Sequence, residues 1–203
     1  MDDRSAITSV PIHEVLATRW SPRAFDPGAE LATEQVTALL EAARWSATWG
    51  HRQPVRFVVG LRGDATFTAL AATLKRGNAY AQVASALILV CADEGEDERT
   101  ATYAAVDVGA ALASATFEAV ARGLIAHPMA GFDADAARAA FDVPDGVRPL
   151  AVLAVGVLGD YASADERIVE RDARPRERLP LSEVAFAIRW GTPFRPDTSA
   201  PAG

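Results

Sequence analysis

The segment 100–122 constrains the fold more than any other part of this 203-residue chain. It carries small or apolar side chains on nearly every side and stops at Gly123. Its alanines favour a helix, and a glycine just past the end suits a left-handed cap. A helix that is apolar all round has to be covered all round. Asp107 and Glu118 interrupt the segment, and alanine adds little transfer energy, so the reading is a long buried central helix and not a membrane span. The acidic approach at 94–98 reads as a solvated loop whose charges favour the helix N-terminus.

The remaining periodicities complete an α+β pattern. Val36, Leu39, Leu40 and Ala43 share one helical face after a Thr33 N-cap, and Phe67, Leu70, Ala71 and Leu74 share another before Gly77. The apolar runs 56–61, 86–91 and 150–158 read as strands. The stretch 160–178 is charged and aperiodic, and is expected to be a long loop. No linker or repeat divides the chain, so we expect one soluble domain over 1–195 and a flexible tail over 196–203.

A formal net charge of −7 argues against nucleic acid or an anionic membrane surface as a partner. The single cysteine, Cys91, ends an apolar run and is expected to lie buried in a strand. One cysteine builds no disulfide framework, which suits a reducing cytosol. The polar start, Met1 to Ser5, has no signal-peptide hydrophobic region, so the expected location is cytoplasmic. With one cysteine and three histidines no metal site is expected. There is no G-x-G-x-x-G or Walker motif, and spacing assembles no nucleophilic triad.

Two arginine-rich stretches stand out against the acidic balance: Arg19-Trp20-Ser21-Pro22-Arg23, and Arg176-Glu177-Arg178-Leu179-Pro180. Ile12, Val15 and Leu16 repeat at helical spacing, and Pro22 both stops that helix and pushes Ser21 into extended backbone. Ser21 and Arg23 then share a face, a hydroxyl beside a guanidinium. Pro180 suits the first turn of a helix running through Val184 and Ile188. Guanidinium forks bind phosphate oxygens two at a time, so the stretches read as two halves of one anion site. Each arginine taken alone reads equally well as a solvated cation, and spacing does not bring the two ends together.

Five segments in order resemble the nitroreductase-like FMN-dependent oxidoreductases. TRWSPRAF at 18–25 is similar to the R-x-S-x-R-x-F opening of that family. The segment 42–57 resembles its A-P-S-x-x-N-x-Q-P-W-x-F stretch, and Asp107 to Ala111 its D-x-G-A-A central helix. Gly123-Leu124 with 127–133 resembles the loop along the flavin, and Arg178 to Glu183 the closing R-x-P-L-x-E. The chain departs from the pattern at His51, where asparagine is common, and at Val55, where tryptophan is frequent.

The resemblance implies a nitroreductase-like α+β fold: a central mixed or antiparallel sheet flanked by helices, with the long buried helix at a homodimer interface. A central core helix in a monomer is the competing reading of that helix. Implied cofactor contacts are Arg19, Trp20, Ser21, Arg23, Arg176 and Arg178 on the FMN phosphate and ribityl chain. Ser46, His51 and Gln53 would line the pyrimidine side from the other subunit. Asn78 is a looser match, and the backbone at Ala130 and Gly131 would approach flavin N5, where glycine permits close approach; a purely structural turn is the alternative there. No side chain is implied as catalytic. The implied activity is ping-pong hydride transfer from NADH or NADPH through FMN to an electrophilic small molecule such as a nitroaromatic, quinone or enone. Three alternatives stay open: a specialised family branch performing dehalogenation, oxidation of a biosynthetic intermediate or flavin breakdown; a non-catalytic flavin-binding module; and a flavin-free interaction protein.

Overall fold

A computed structural model describes residues 4–194, so the tail expected at 196–203 lies outside the described residues. By packing, the chain divides into two compact units, Met1–Ala173 and Arg174–Gly203.

The first unit is organised around a four-stranded sheet in the order β1-β2-β4-β3, antiparallel throughout. The strands are β1 (Val55–Leu61), β2 (Ala86–Asp93), β3 (Ile125–Met129) and β4 (Val147–Gly156). Successive strand residues point to opposite faces, and β2 divides its apolar side chains accordingly. Ile88 and Val90 face one layer with Leu153 and Val155, under α2 (Thr33–Arg44) and α4 (Glu98–Ala121). Leu87, Leu89 and Cys91 face the other with Val152 and Ala154, under α3 (Ala65–Thr73) and α5 (Ala134–Ala140). Cys91 is thus the buried strand residue expected, and burial pushes its thiol up to about 11. Where α3 crosses β1 the backbones nearly touch: a Cβ on Gly60 would fall 2.3 Å from the Phe67 nitrogen.

The central helix forms as expected, over Glu98–Ala121. Asp97 caps it, accepting from the Thr100 backbone N–H at 2.9 Å, and Gly123 ends it at φ +72°. Its burial differs from expectation. Ala104, Val108, Ala111, Ala115 and Ala119 pack inward, whereas Tyr103 and Val106 on the opposite side are exposed. Within one chain the helix is therefore covered on one face only.

Several local expectations are corrected. Ala32, not Thr33, is the N-cap of α2, because Gln35 Oε1 reaches back to the Ala32 N–H at 3.0 Å and performs the capping from the third position. α3 stops at Thr73, and a 3-10 segment, Arg76–Val83, carries the chain past Gly77. The stretch 160–178 is not one long loop: Glu166–Ala173 forms α6, whose single buried residue is Asp172. Part of the segment expected as a loop along the flavin is instead the edge strand β3, where Pro128 is tolerated because it sits on the sheet's rim.

In the second unit α7 is only Leu181–Val184, capped by Pro180. Ile188 lies beyond it at φ +68°, so the helix expected to run through Ile188 does not form. A tight loop takes its place, closed by the Ala187–Thr192 and Phe194–Ala185 backbone bonds, with Phe186 and Trp190 rings 4.9 Å apart.

Candidate functional site

The first arginine stretch leaves the short helix α1 (Glu14–Thr18), whose last turn ends at Arg19 in extended backbone. Arg19 Nη1 donates to Ser21 Oγ at 3.2 Å, so the guanidinium beside this hydroxyl is that of Arg19 and not, as the spacing suggests, that of Arg23. Trp20 lies under the Arg4 guanidinium, 4.9 Å from its ring centre. Arg23 is fixed more firmly. Its Nη1 is 2.7 Å from Asp172 Oδ1, and its backbone N–H donates to Asp172 Oδ2, also at 2.7 Å. Tyr161 donates to the same Oδ2 at 2.8 Å, a bond that together with burial pushes the phenol upward. Asp172 is fully buried, while Arg23 Nε is buried without an acceptor among the described residues.

Beneath this loop lies His127 of β3. Its Nδ1 is 2.9 Å from the Pro22 carbonyl, and its Nε2 is 3.0 Å from Tyr80 Oη. A carbonyl can only accept, so Nδ1 carries the proton, and in the neutral ring Nε2 accepts from Tyr80. Burial holds the His127 pKa below its ordinary value, partly opposed by the bond to Pro22. Burial likewise pushes Tyr80 up to about 12. Arg23 and Arg171 lie 5.8 and 5.9 Å from the Tyr80 ring centre, within cation–π range.

Asn78 joins the same neighbourhood. Its Nδ2 donates to the Gly131 carbonyl at 2.9 Å, and the Lys75 N–H donates to that carbonyl at 3.0 Å. A Cβ on Gly131 would fall 2.6 Å from Asn78 Nδ2, so the absence of a side chain there is what lets the two meet. Arg171 donates to the Gly77 carbonyl at 3.2 Å, tying α6 to this segment. Arg19, Ser21, Arg23, Asn78, Ala130 and Gly131 therefore belong to one side of the first unit, next to β3.

The segment holding Ser46, His51 and Gln53 is attached elsewhere. Ser46 Oγ donates to the Ala43 carbonyl at the end of α2. The Trp49 N–H donates to both Asp107 oxygens at 3.1 and 3.2 Å, and its ring stacks on Tyr103 at 4.8 Å. The Arg52 and Arg99 guanidinium groups lie 5.3 and 5.0 Å from the same ring. Asp107, which interrupts the apolar helix, is thus a buried anchor for this loop. Gly50, His51 and Gln53 all adopt positive φ, at 59°, 60° and 48°. Histidine and asparagine are both enriched in that region, which accounts for His51 in a position where the resembling family uses asparagine. Ser46, Thr48 and Gln53 border a cavity of about 420 Å³, together with Val55 and Phe57. This loop feeds β1, whereas the arginine loop rests on β3, the opposite edge of the sheet. Three strand spacings amount to roughly 14 Å, so within one chain the two groups do not form one pocket.

Arg176 and Arg178 lie in the second unit. Arg178 is exposed and donates to the Glu177 carbonyl at 2.7 Å, while Arg176 is half-buried.

Sequence reasoning passed over Asp172, Tyr161, Tyr80 and Arg171 and gave His127 no partner. The one available signal was the Ile168, Val169 and Asp172 spacing, which puts a carboxylate on the apolar side of α6.

The nitroreductase family profile matches residues 16–85 and 62–157. An uncharacterised 15.4 kDa protein of Mycolicibacterium smegmatis, from the ask 5′ region, is 69% identical over 148 residues, which is 69% of this chain and 100% of that protein. The crystal structure of an oxidoreductase containing FMN is 30% identical and superposes with a TM-score of 0.85, covering 94% of this chain and 98% of the other. A nitroreductase family protein from Clostridium difficile 630 shares the fold at 23% identity and a TM-score of 0.70, covering 89% and 99%.

Proposed function

The chain belongs to the nitroreductase family, and on that premise we propose that it is a cytoplasmic FMN-dependent oxidoreductase: a homodimer of single-domain subunits, each domain spanning 1–195, that uses NADH or NADPH to reduce an electrophilic small molecule of nitroaromatic, quinone or enone type. The observation that carries the reading is the donor set at 19–23. Arg19, Ser21 and Arg23 gather two guanidinium groups and a hydroxyl, and Arg23 Nε is buried with no acceptor among the described residues. An orphaned buried donor costs free energy until an acceptor reaches it, and a phosphate oxygen is a suitable one. The residues present therefore fit an FMN phosphate.

Bound FMN would supply the redox chemistry, taking hydride from a reduced nicotinamide and passing it to the substrate. The chain's own residues bind and orient. Arg19, Trp20, Ser21 and Arg23 hold the phosphate end, with Arg176 and Arg178 as further ligands. Asn78 fixes the Gly131 carbonyl, which sets the direction of the Ala130–Gly131 backbone at the end of β3. Ser46, His51 and Gln53 reach the ring from the partner subunit, a division of labour supported by their place at the opposite sheet edge. No side chain is assigned a catalytic role. His127, the one imidazole close to the loop, has both ring nitrogens engaged and is buried, so it holds no proton for a substrate.

The open face of α4 supports the dimer. It presents Tyr103, Val106 and Gly109, whereas Ala111 and Ala115 are packed into the core, at 0% and 5% exposure. Val106→Arg is therefore the variant that separates subunits, while Ala111→Arg breaks the fold. We expect Val106→Arg to sediment as a folded monomer that has lost its flavin; a wild type that is monomeric with full flavin occupancy refutes the interface.

The deciding experiment is the absorbance spectrum of the purified protein before and after anaerobic addition of NADH or NADPH. Yellow protein bleached by either supports the oxidoreductase. Bound FMN that neither reduces points to a flavin-binding module, and a colourless protein that takes up no FMN refutes the reading.

A further inference from the structure

The carbonyl of Pro22 and the N–H of Arg23 belong to one peptide group, and both ends of that group are held by side chains. His127 Nδ1 donates to the carbonyl at 2.9 Å, and Asp172 Oδ2 accepts from the N–H at 2.7 Å. The grip comes from two elements remote in sequence, β3 and α6, 105 and 149 positions along the chain. Pro22 is fully buried and its ring fixes φ, so with the following peptide plane held at both poles the loop has little freedom left. Each holding side chain is itself held. Tyr161 donates to Asp172 and Tyr80 donates to His127, and Arg23, the residue after the gripped peptide, spans the gap with its guanidinium on Asp172 and near the Tyr80 ring.

We propose that His127 and Asp172 are positioning residues: by clamping the Pro22–Arg23 peptide between them they set the direction in which Ser21 and Arg23 project, and so the affinity of this loop for a phosphate ester. The inference rests on the phosphate reading of the loop given above. Neither residue touches the ligand. A freely rotating Pro22–Arg23 peptide would spread Ser21 and Arg23 over several orientations, and ordering them would subtract from the binding free energy. Asp172 has a second effect through its charge. Of the guanidinium it satisfies one nitrogen, Nη1, and leaves Nε for the ligand, so it orients the fork without occupying all of it.

The test is a fluorescence titration of the full-length apoprotein with FMN and, separately, with riboflavin, which lacks the phosphate. His127→Phe keeps an aromatic ring and removes the donor to Pro22. His127→Asn places an amide nitrogen where Nδ1 was and keeps the donor. We expect His127→Phe to weaken FMN roughly tenfold, the loss of about one hydrogen bond's contribution, with riboflavin changed less than twofold. His127→Asn should recover most of the FMN affinity. Equal losses for FMN and riboflavin in both variants, or no loss in His127→Phe, overturn the proposal.

NMR of the flavin-free wild type reads the clamp itself. The His127 imidazole nitrogens should report the neutral Nδ1–H tautomer, and the Arg23 amide should be protected from exchange, protection that Asp172→Leu, which has no acceptor, removes. An Nε2–H tautomer or an unprotected Arg23 amide overturns the clamp whatever the flavin does. Should the wild type bind neither FMN nor riboflavin, the functional reading fails. Inorganic phosphate titrated against the Arg23 amide resonance then decides: a shift lost in His127→Phe and restored in His127→Asn upholds the positioning role, and no shift ends it.

Discussion

Segments 19–23 and 174–178 are both rich in arginine, and their environments differ completely. Arg23 lies on a fully buried carboxylate, its backbone N–H and guanidinium both bound to Asp172. Arg178 is exposed, its Nη1 bond reaching only the neighbouring Glu177 carbonyl. The first is part of the fold before any ligand arrives, while the second contributes little until one does. The same residue type thus divides into a component whose removal threatens stability and one whose removal threatens affinity.

The largest expected effect tests the first half of that contrast. Asp172→Ala leaves Arg23 partly buried without its counter-charge and should cost about 3–5 kcal/mol in urea unfolding. Arg178→Ala should change unfolding by less than about 0.5 kcal/mol, as surface substitutions do. Similar losses in the two variants would erase the distinction.

Next in size is the effect on affinity. Arg178→Ala should weaken FMN by roughly tenfold or more, one charge-assisted bond's worth, at an unchanged melting temperature. If FMN affinity is untouched, the second stretch is a solvated surface and the first loop binds the phosphate without it.

The smallest effect is a pH dependence. Burial lowers the His127 pKa in the folded state, so between that value and the ordinary 6.5 the unfolded chain binds more protons. The stability from keeping His127 neutral is complete above about 6.5 and is lost as pH falls toward the folded-state value. Arg23 and Arg171 disfavour its protonation, and Asp172 opposes them. Melting curves between pH 7.5 and 5.5 should show a decline that His127→Asn flattens. Parallel declines in wild type and variant would place the acid sensitivity outside the clamp.

How much of this was legible depends on range. The central helix, β1, β2 and β4 were readable because their apolar patterns are long and local. β3 was not, since five residues containing a histidine and a proline carry no strand signal and pair only with β4. α6 was hidden by its charge, because a single inward aspartate answers to an arginine 149 positions earlier. The site was legible in the same proportion. The grouping of Arg19, Ser21 and Arg23 at the end of α1 follows from local spacing, although Ser21 takes Arg19 and not Arg23 as its partner, whereas the carboxylate that holds Arg23 and the imidazole that holds Pro22 come from elements with no sequence proximity to them. Ala111 and Ala115 could not be assigned to a side of α4, since alanine reads the same toward core or partner.

The alanine side of α4 also governs how the molecule transmits deformation. With Ala104, Ala111, Ala115 and Ala119 all at 5% exposure or less, the helix brings mostly short side chains to the sheet, and few long ones on its own inward side are available to bend aside. Close-packed interiors of this kind pass strain on and do not absorb it. Asp107 rides on the same rod and is the tether of Trp49. A bulky residue at Ala111 would therefore act as a wedge whose displacement is felt at the loop of Ser46, His51 and Gln53, well away from the wedge itself.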